Sequence, residues 1–187
     1  PEARVGRALG YEKRPGRFRA RTSTESEEVT MSMTKRERCM AAVKGEKPDK
    51  IPYSLWSHMP QFDHDADAIT EKTYEFYKTY DVDFIKTMNN GMYSIEDFGA
   101  VIDYSEVAKG GMAKLVSTPI ETAEDWTKLT VKPLTEGAIA RELHYLEMIL
   151  EKVKADDVPV IFTVFTPITT ANKLCGGKIG QYIHQGH

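Results

Sequence analysis

The chain has few cysteines, no long apolar run and no strong excess of charge, and each shortage argues against a class of protein. Cys39 and Cys175 are its only cysteines in 187 residues, which fits a reduced, cytoplasmic protein better than a disulfide scaffold. No apolar run approaches the roughly 20 residues that a membrane-spanning helix needs, so we expect no membrane association. A net charge of −3 gives no reason to expect nucleic acid as a partner.

The first 30 residues differ in composition from the rest. They are rich in arginine and glutamate, lack apolar periodicity and end in a polar run at residues 22–28. Such a segment cannot bury enough apolar surface to offset the entropy lost on ordering. It also lacks the apolar stretch of a secretory signal. We predict a disordered leader over residues 1–30 and one folded region over residues 31–187.

Helix and strand signals alternate along the folded region. Thr34 and Glu37 form a capping box that predicts a first helix. Further patterns predict strands at 51–56, 83–88 and 158–165, helices at 67–80 and 136–153, and an antiparallel excursion around Gly110 and Gly111. The alternation predicts an α/β fold with about three parallel strands and flanking helices. A doubly wound sheet and a barrel both remain open, and three strands cannot close a barrel of eight.

The clearest strand-to-helix unit lies near the end of the chain. Residues 158–165 are almost wholly apolar, which is typical of a strand covered on both faces. Thr166 can then cap a helix whose first residue is Pro167, where a missing N–H costs nothing.

Candidate site residues follow from the position of chemistry in barrel enzymes, at the carboxyl ends of the strands. His58 follows the first predicted strand and can act as an acid, a base or a metal ligand. Lys86 can pair with a substrate carboxylate or phosphate. Asn89 and Asn90 can bind substrate, or can simply form an Asn-Asn-Gly turn. Thr163 and Thr166 can line the same pocket.

Further polar residues surround these positions. Tyr93, Glu96 and Asp97 follow the second predicted strand, where carboxylates face a substrate or begin a helix. The acidic run at residues 63–67 fails as a calcium loop, because alanine replaces the required glycine, and is interpreted as an introduction to a helix. We predict no metal site in this chain. The predicted catalytic residues are His58 and Lys86, and the predicted substrate-binding residues are Asn89, Asn90, Tyr93, Glu96 and Thr166.

Several segments together resemble one enzyme family. Residues 33–56 are similar to the opening of the uroporphyrinogen decarboxylase (URO-D) superfamily, residues 81–86 and 91–99 to its second strand and following loop, and residues 158–177 to its third-strand segment. The resemblance implies a (β/α)8 TIM-type barrel, of which this chain would supply the N-terminal half. It also implies a cytoplasmic enzyme that acts on a small molecule.

The superfamily has two main branches, and the residues distinguish them. One branch decarboxylates the acetate arms of uroporphyrinogen without a cofactor, in tetrapyrrole biosynthesis. It places arginines after the first strand, an aspartate at the end of the second and a tyrosine in the helix after the third. Here residues 56–62 hold no arginine, residues 86–90 hold no aspartate, and Lys173 stands at the tyrosine position.

The other branch transfers methyl groups between a corrinoid and a thiol, using zinc. It is closer to this sequence in the Ser-Leu-Trp at 54–56 and the Tyr-Ser-Ile-Glu-Asp at 93–97. Zinc and corrinoid would then belong to a longer parent protein, with zinc ligands in the other half and no cofactor bound by this fragment. A third reading is a non-catalytic half barrel or assembly subunit. We would expect such a chain to self-associate through its open edge.

Overall fold

The computed structural model describes residues 32–186. The predicted leader at residues 1–30 lies outside these residues. Within them the helices are α1 (Lys35–Val43), α2 (Ala66–Tyr80), α3 (Tyr93–Glu96), α4 (Gly137–Lys152), α5 (Pro167–Leu174) and α6 (Ile179–His184). The strands are β1 (Ile85–Lys86), β2 (Val101–Asp103), β3 (Lys114–Ser117) and β4 (Val160–Ile161). No helix in this part of the chain is long and apolar enough to cross a membrane.

Helix α1 begins at the predicted capping box. The Glu37 N–H donates to Thr34 Oγ1 at 3.1 Å, and the Thr34 N–H donates to Glu37 Oε2 at 2.8 Å. Two of the donors left free at the start of the helix are thereby satisfied. On its buried side α1 carries Arg38, which donates to Asp83 at 2.6 Å and to Asp49 at 2.7 Å. This buried guanidinium joins α1 to the segment that leads into β1.

The fold is α/β, with one parallel pair of strands and one antiparallel pair. Strands β1 and β4 run parallel, with Ile85 opposite Val160 and Lys86 opposite Ile161. Strands β2 and β3 form the predicted antiparallel excursion, with an irregularity between Val101 and Ile102. Because β1 and β4 are separated by helices in the sequence, their pairing is the crossover arrangement that the alternating pattern predicts.

The expectation of about three parallel strands is wrong among the described residues, because residues 51–56 form no strand. They are extended, and the Asp83 N–H donates to the Tyr53 carbonyl at 2.8 Å. The next rung is lost because the Tyr53 N–H donates instead to the Asp83 side chain at 3.0 Å. Pro52 has no N–H to offer. The segment therefore lies beside β1 without a continuous ladder.

The expectation that residues 158–165 form a strand covered on both faces is also wrong. Only Val160–Ile161 pairs as a strand, and Ile161 and Val164 are 46% and 73% exposed. The reason lies in the tertiary structure. Within residues 32–186 β4 pairs only with β1, and side chains on the other face of β4 have no covering element.

Helices α2 and α4 cover one face of the parallel pair and form the main core with it. Its fully buried members are Ile69, Tyr77, Val82, Ile85, Met88, Tyr145, Ile149, Val153 and Val158. The Tyr145 hydroxyl accepts from the Met88 N–H at 3.1 Å and lies 2.6 Å from the Thr73 hydroxyl. These bonds hold the end of β1 between the two helices, and they satisfy polar groups that would be costly to bury alone.

A second core lies under the antiparallel pair, where Ile95, Ile120, Leu174, Cys175 and Tyr182 are buried together. The loop after α3 also reaches α4. Asp97 accepts from the Ala138 and Ile139 N–H groups at 2.9 and 3.0 Å. It thereby caps a helix 40 residues away in the sequence, because both donors lie in the first turn of α4.

Candidate functional site

A cavity of about 370 Å³ opens at the carboxyl ends of β1 and β4. This is where open α/β sheets and barrels place ligands. Three chain segments line it: the extended segment with Trp56 and His58, the β1 end with Lys86, Thr87, Asn89 and Gly91, and the β4 end and α5 with Thr163, Phe165 and Lys173. The volume lies within the range of small-molecule sites.

Lys86 and His58 both contact Trp56 at one side of the cavity. The Lys86 Nζ lies 4.2 Å from the centre of the Trp56 ring. The His58 ring meets the same indole edge to face, with ring centres 4.3 Å apart. Trp56 is itself held by a hydrogen bond from its Nε1 to the Thr87 carbonyl at 3.2 Å. The indole therefore orients both predicted catalytic side chains.

Lys173 reaches the cavity from α5. Its Nζ lies 3.7 Å from the centre of the Phe165 ring and donates to the Gly91 carbonyl at 2.6 Å. Burial lowers the pKa of Lys173, since a low-dielectric environment disfavours the charged ammonium. The bond to Gly91 joins α5 to the loop that follows β1.

A chain of buried hydrogen bonds forms the floor of the cavity. The Thr163 N–H donates to Thr87 Oγ1 at 3.2 Å, and the Thr87 hydroxyl donates to Asn89. Asn89 Nδ2 in turn donates to Glu142 Oε2 at 2.8 Å. These contacts link the ends of both parallel strands to α4. They leave Asn89 facing the cavity in a defined orientation.

Glu142 and Arg141 continue this network below the floor. Burial raises the pKa of Glu142, although Asn89 and Arg141 favour its charged form. Arg141 forms a two-pronged ion pair with Glu96 at 3.0 and 3.2 Å. Burial alone would lower the pKa of Arg141, but the bond to Glu96 and the neighbouring carboxylates raise it. Arg141 therefore stays charged between two acids.

A smaller cavity of about 50 Å³ adjoins the first and shares His58 and Gly91 with it. Asp63 and Asn90 line it, and Asn90 Nδ2 donates to Asp63 Oδ1 at 3.0 Å. Burial raises the pKa of Asp63. The Asn90 side-chain oxygen accepts from the Met92 N–H at 2.7 Å, which is the local turn geometry expected of asparagine.

The structure brings some of the predicted site residues together and places others elsewhere. His58, Lys86 and Asn89 line the main cavity, and Asn90 lines the smaller one. The other three, which line neither cavity, have internal partners. The Tyr93 hydroxyl donates to the Thr163 carbonyl, Glu96 pairs with Arg141, and Thr166 caps α5. Their roles toward a substrate stay predictions.

Several cavity residues were not predicted as site residues, among them Trp56, Asp63, Phe165 and Lys173. Trp56 and Phe165 lie at ends of predicted strands, so the position rule that selected His58 applies equally to them. Asp63 was interpreted only as an acid before a helix. Asp65 does cap α2, but Asp63 is buried against Asn90 instead. Lys173 gave no local signal, because its contact with Gly91 depends on the folding of distant segments.

The described residues do not form a zinc site. No group of three or more histidine, cysteine, aspartate or glutamate side chains within residues 32–186 is arranged to hold a metal ion. The His58 ring packs against the Trp56 indole, which is not among the ligands that zinc prefers.

Comparisons with known proteins identify the family. The family model of uroporphyrinogen decarboxylase (URO-D) matches residues 34–184. The chain belongs to the URO-D family. No curated protein matches the chain.

Among solved structures, a methyltransferase from Methanosarcina mazei is similar, with 21% sequence identity and a TM-score of 0.62. The match covers 78% of this chain and 46% of that protein. At this identity the likeness shows the fold alone. The chain spans less than half the length of that structure.

Proposed function

We propose that this chain forms the substrate-binding N-terminal part of a URO-D-family barrel enzyme. We further propose that the enzyme transfers methyl groups between a corrinoid and a thiol, as the closer branch of the superfamily does. The substrate is a small molecule that enters the cavity at the carboxyl ends of β1 and β4. Residues beyond the described ones would complete the barrel on the exposed side of β4.

The composition of the main cavity is the observation that carries this choice of branch. In the decarboxylase pattern, arginines bind the substrate carboxylates and an aspartate faces the pyrroles. Neither residue type lines the main cavity, where His58, Lys86, Asn89 and Lys173 supply the polar groups. An imidazole can act as an acid, a base or a hydrogen-bonding group, so we assign proton transfer or substrate orientation to His58.

No group of three or more histidine, cysteine, aspartate or glutamate side chains among the described residues could hold the zinc of that branch. We therefore derive no step through either group. The chain's own contribution under this proposal is to bind and orient the substrate. The Trp56 indole fixes His58 and Lys86, and the floor of Thr87, Asn89 and Glu142 fixes the strand ends.

A direct comparison of the two activities tests the proposal. The longer parent protein, supplied with zinc, is incubated with methylcobalamin and a small thiol, and loss of the cobalt-bound methyl group is followed by visible absorbance. In parallel it is incubated with uroporphyrinogen, and carboxylate loss is followed by chromatography. Thiol-dependent demethylation supports the proposal. Release of carbon dioxide from uroporphyrinogen, with no thiol methylation, would contradict it.

His58 provides the variant for the same assay. His58→Ala should lower the rate at least tenfold, because an acid–base group contributes typically 10²–10⁴-fold. Its melting temperature should stay within about 1 °C of the parent, since His58 is exposed. His144→Ala, at an exposed position on α4, is the matched control and should change neither quantity.

A second candidate is a non-catalytic half barrel that assembles with another chain. Its supporting observation is apolar surface around β4. Ile161 and Val164 are exposed, and a groove of about 520 Å³ lies between α1 and residues near β4, lined by Met40, Val43, Phe84, Pro159 and Ile161 among others. Sedimentation velocity distinguishes this candidate. A concentration-dependent dimer that Ile161→Asp abolishes would support it, and a monomer at all concentrations would exclude it.

A further inference from the structure

Two lysines of the main cavity lack an acidic partner although neither is fully exposed. Most lysines of the described region lie within 4.0 Å of a carboxylate, as Lys35 and Lys152 do. Lys86 and Lys173 have no such partner among residues 32–186, and both are only half-buried.

Other lysines also lack a carboxylate partner in this part of the chain, but their ammonium groups are solvated by water. They are Lys44, Lys47, Lys114 and Lys178, and each is exposed. A solvated ammonium needs no other counter-charge, whereas a partly desolvated one is costly. Lys86 and Lys173 are therefore the exceptions, and both line the same cavity.

The neighbours of these two lysines compensate only part of the charge. Each Nζ lies over an aromatic ring, Trp56 for Lys86 and Phe165 for Lys173. The negative face of a ring attracts a cation but accepts no conventional hydrogen bond. An ammonium carries three N–H donors. Within the described residues Lys173 uses one of them, on the Gly91 carbonyl, and Lys86 uses none.

No carboxylate of the cavity wall offsets the two charges. The wall contains no aspartate or glutamate. Glu142, which is buried below the floor, already accepts from Asn89 and from Arg141. The wall thus carries two positive charges beside apolar rings, in a concave site where the local field is stronger than in open water.

We propose that Lys86 and Lys173 form a binding site for the anionic oxygen group of a small molecule, a carboxylate, sulfonate or phosphate. The ligand's acidic oxygens accept hydrogen bonds from the free ammonium donors of both lysines. The inference rests on the proposed function only in taking this cavity as the substrate site. It assigns the acidic end of the substrate to Lys86 and Lys173, and it leaves the reaction itself to the rest of the protein.

Trp56 provides an internal reporter for the test. The chain has two tryptophans, and Trp126 packs edge to face on Tyr182 in the second core, away from the cavity. In a Trp126→Phe background all tryptophan emission comes from Trp56, whose ring lies 4.2 Å from the Lys86 Nζ. Acetate, methanesulfonate and inorganic phosphate are titrated at constant ionic strength, with acetamide as the neutral control. Their relative affinities identify the acidic group.

The expected result is a saturable change with at least one of the three anions and none with acetamide. Lys86→Gln and Lys173→Gln should each weaken that anion about tenfold, since a hydrogen bond to a charged group contributes about 1.5–3 kcal/mol and 1.4 kcal/mol is a factor of ten. Lys47→Gln, at an exposed turn position, should leave the affinity unchanged. Calorimetric titration repeats the measurement without tryptophan, because Lys86→Gln also alters the environment of Trp56.

Melting curves of each variant accompany the titrations. If Lys173→Gln unfolds because the bond to Gly91 is lost, Lys86→Gln and the charge-preserving Lys86→Arg decide the question. Unchanged anion affinity in Lys86→Gln, or equal weakening by Lys47→Gln, would overturn the proposal. These probes undergo no methyl transfer or decarboxylation. Anion binding without either activity would therefore count against the proposed function alone, and activity with lysine-independent binding would count against this inference alone.

Discussion

Ile85 and Lys86 are neighbours in β1, yet they face opposite environments. Ile85 is 3% exposed and packs with α2 and α4, as does its partner Val160. Lys86 faces the cavity, and its partner Ile161 is 46% exposed. Because side chains alternate along a strand, one short parallel pair separates a covered face from an open face. The covered face holds the fold together, and the open face carries the candidate site.

The difference between the covered face and the open face indicates where substitutions affect folding and where they affect binding. On the covered face the buried Tyr145 hydroxyl has partners inside the protein, the Thr73 hydroxyl and the Met88 N–H. Around the open face, the ammonium groups of Lys86 and Lys173 have no carboxylate partner in the described region. The side chains of Ile161 and Val164 are exposed there. Side chains on the open face make few contacts within the protein, so truncating them should change the free energy of unfolding little. Substitutions there should instead change the binding of ligands or partner chains.

The largest effect is expected from removing the ion pair between Arg38 and Asp83, which joins α1 to the covered side. Arg38→Ala leaves Asp83, whose side chain is fully buried, without its guanidinium. We expect a loss of about 3–5 kcal/mol in the free energy of unfolding, as for other broken buried pairs. Urea denaturation measures it. Arg36→Ala removes the neighbouring pair with Asp157, where both side chains are more than half exposed, and should cost less than about 1 kcal/mol. Similar losses in both would contradict the distinction.

A matched pair of isoleucines tests the two faces directly. Ile85→Ala should cost about 2–5 kcal/mol, because it leaves a cavity beneath α2 and α4. Ile161→Ala, on the open face, should cost less than about 1 kcal/mol. Equal costs, measured by urea denaturation at low protein concentration, would show that the open face is covered in solution.

The third prediction concerns the start of α4, which carries much of the covered face. Gly137 has φ +71°, and a Cβ there would lie 2.0 Å from Asp97 Oδ1. Gly137→Ala should therefore cost about 1–3 kcal/mol, because the backbone is strained and the Asp97 cap is displaced. Gly180→Ala is the control. It lies in α6 with an ordinary helical φ and open space around it, and it should be neutral or slightly stabilising. A thermal shift of the same sign in both variants would refute this account.

The smallest expected effect is a pH dependence beneath the cavity floor. The pKa of Glu142 is raised by burial, so the folded protein holds this proton to higher pH than the unfolded chain does. Its contribution to stability is fully present below the unfolded value of about 4.3 and is lost as pH rises through the raised folded pKa.

Glu142→Gln should remove this component. The difference in unfolding free energy between parent and variant should then shift in favour of the variant as pH rises above about 4.3, by at most about 1.4 kcal/mol per pH unit. Glu147→Gln, on the exposed side of α4, should follow the parent. A pH-independent difference for Glu142→Gln would show that this carboxylate does not titrate differently on folding.

Local sequence signals predicted much of the fold. The capping box of Thr34 and Glu37, the Thr166–Pro167 helix start and the apolar spacing of α4 depend on contacts within a few residues. The antiparallel excursion followed from its turn glycines. Interactions between residues a few positions apart can be predicted from the sequence alone, and the structure confirms them.

Part of the candidate site was predictable for a similar reason. His58, Lys86 and Asn89 lie at ends of extended segments, and parallel strands bring such ends together. The same rule could have selected Trp56, whereas Lys173 escaped prediction because its role comes from a contact across the chain. Lys173 reaches Gly91, 82 residues away, and Trp56 bonds Thr87, 31 residues away.

The amino-acid sequence by itself determined the starts of α1 and α5, the approximate extents of α2 and α4, the alternation of elements and the family to which the chain belongs, because these depend on local spacing and on residue order. Only the tertiary structure decided that residues 51–56 lie beside β1 without pairing as a strand, and that one face of β4 stays open. Which groups end up without partners is a property of long-range packing. For that reason the placement of Lys86 and Lys173 in the lining of one cavity could be read only from the folded chain.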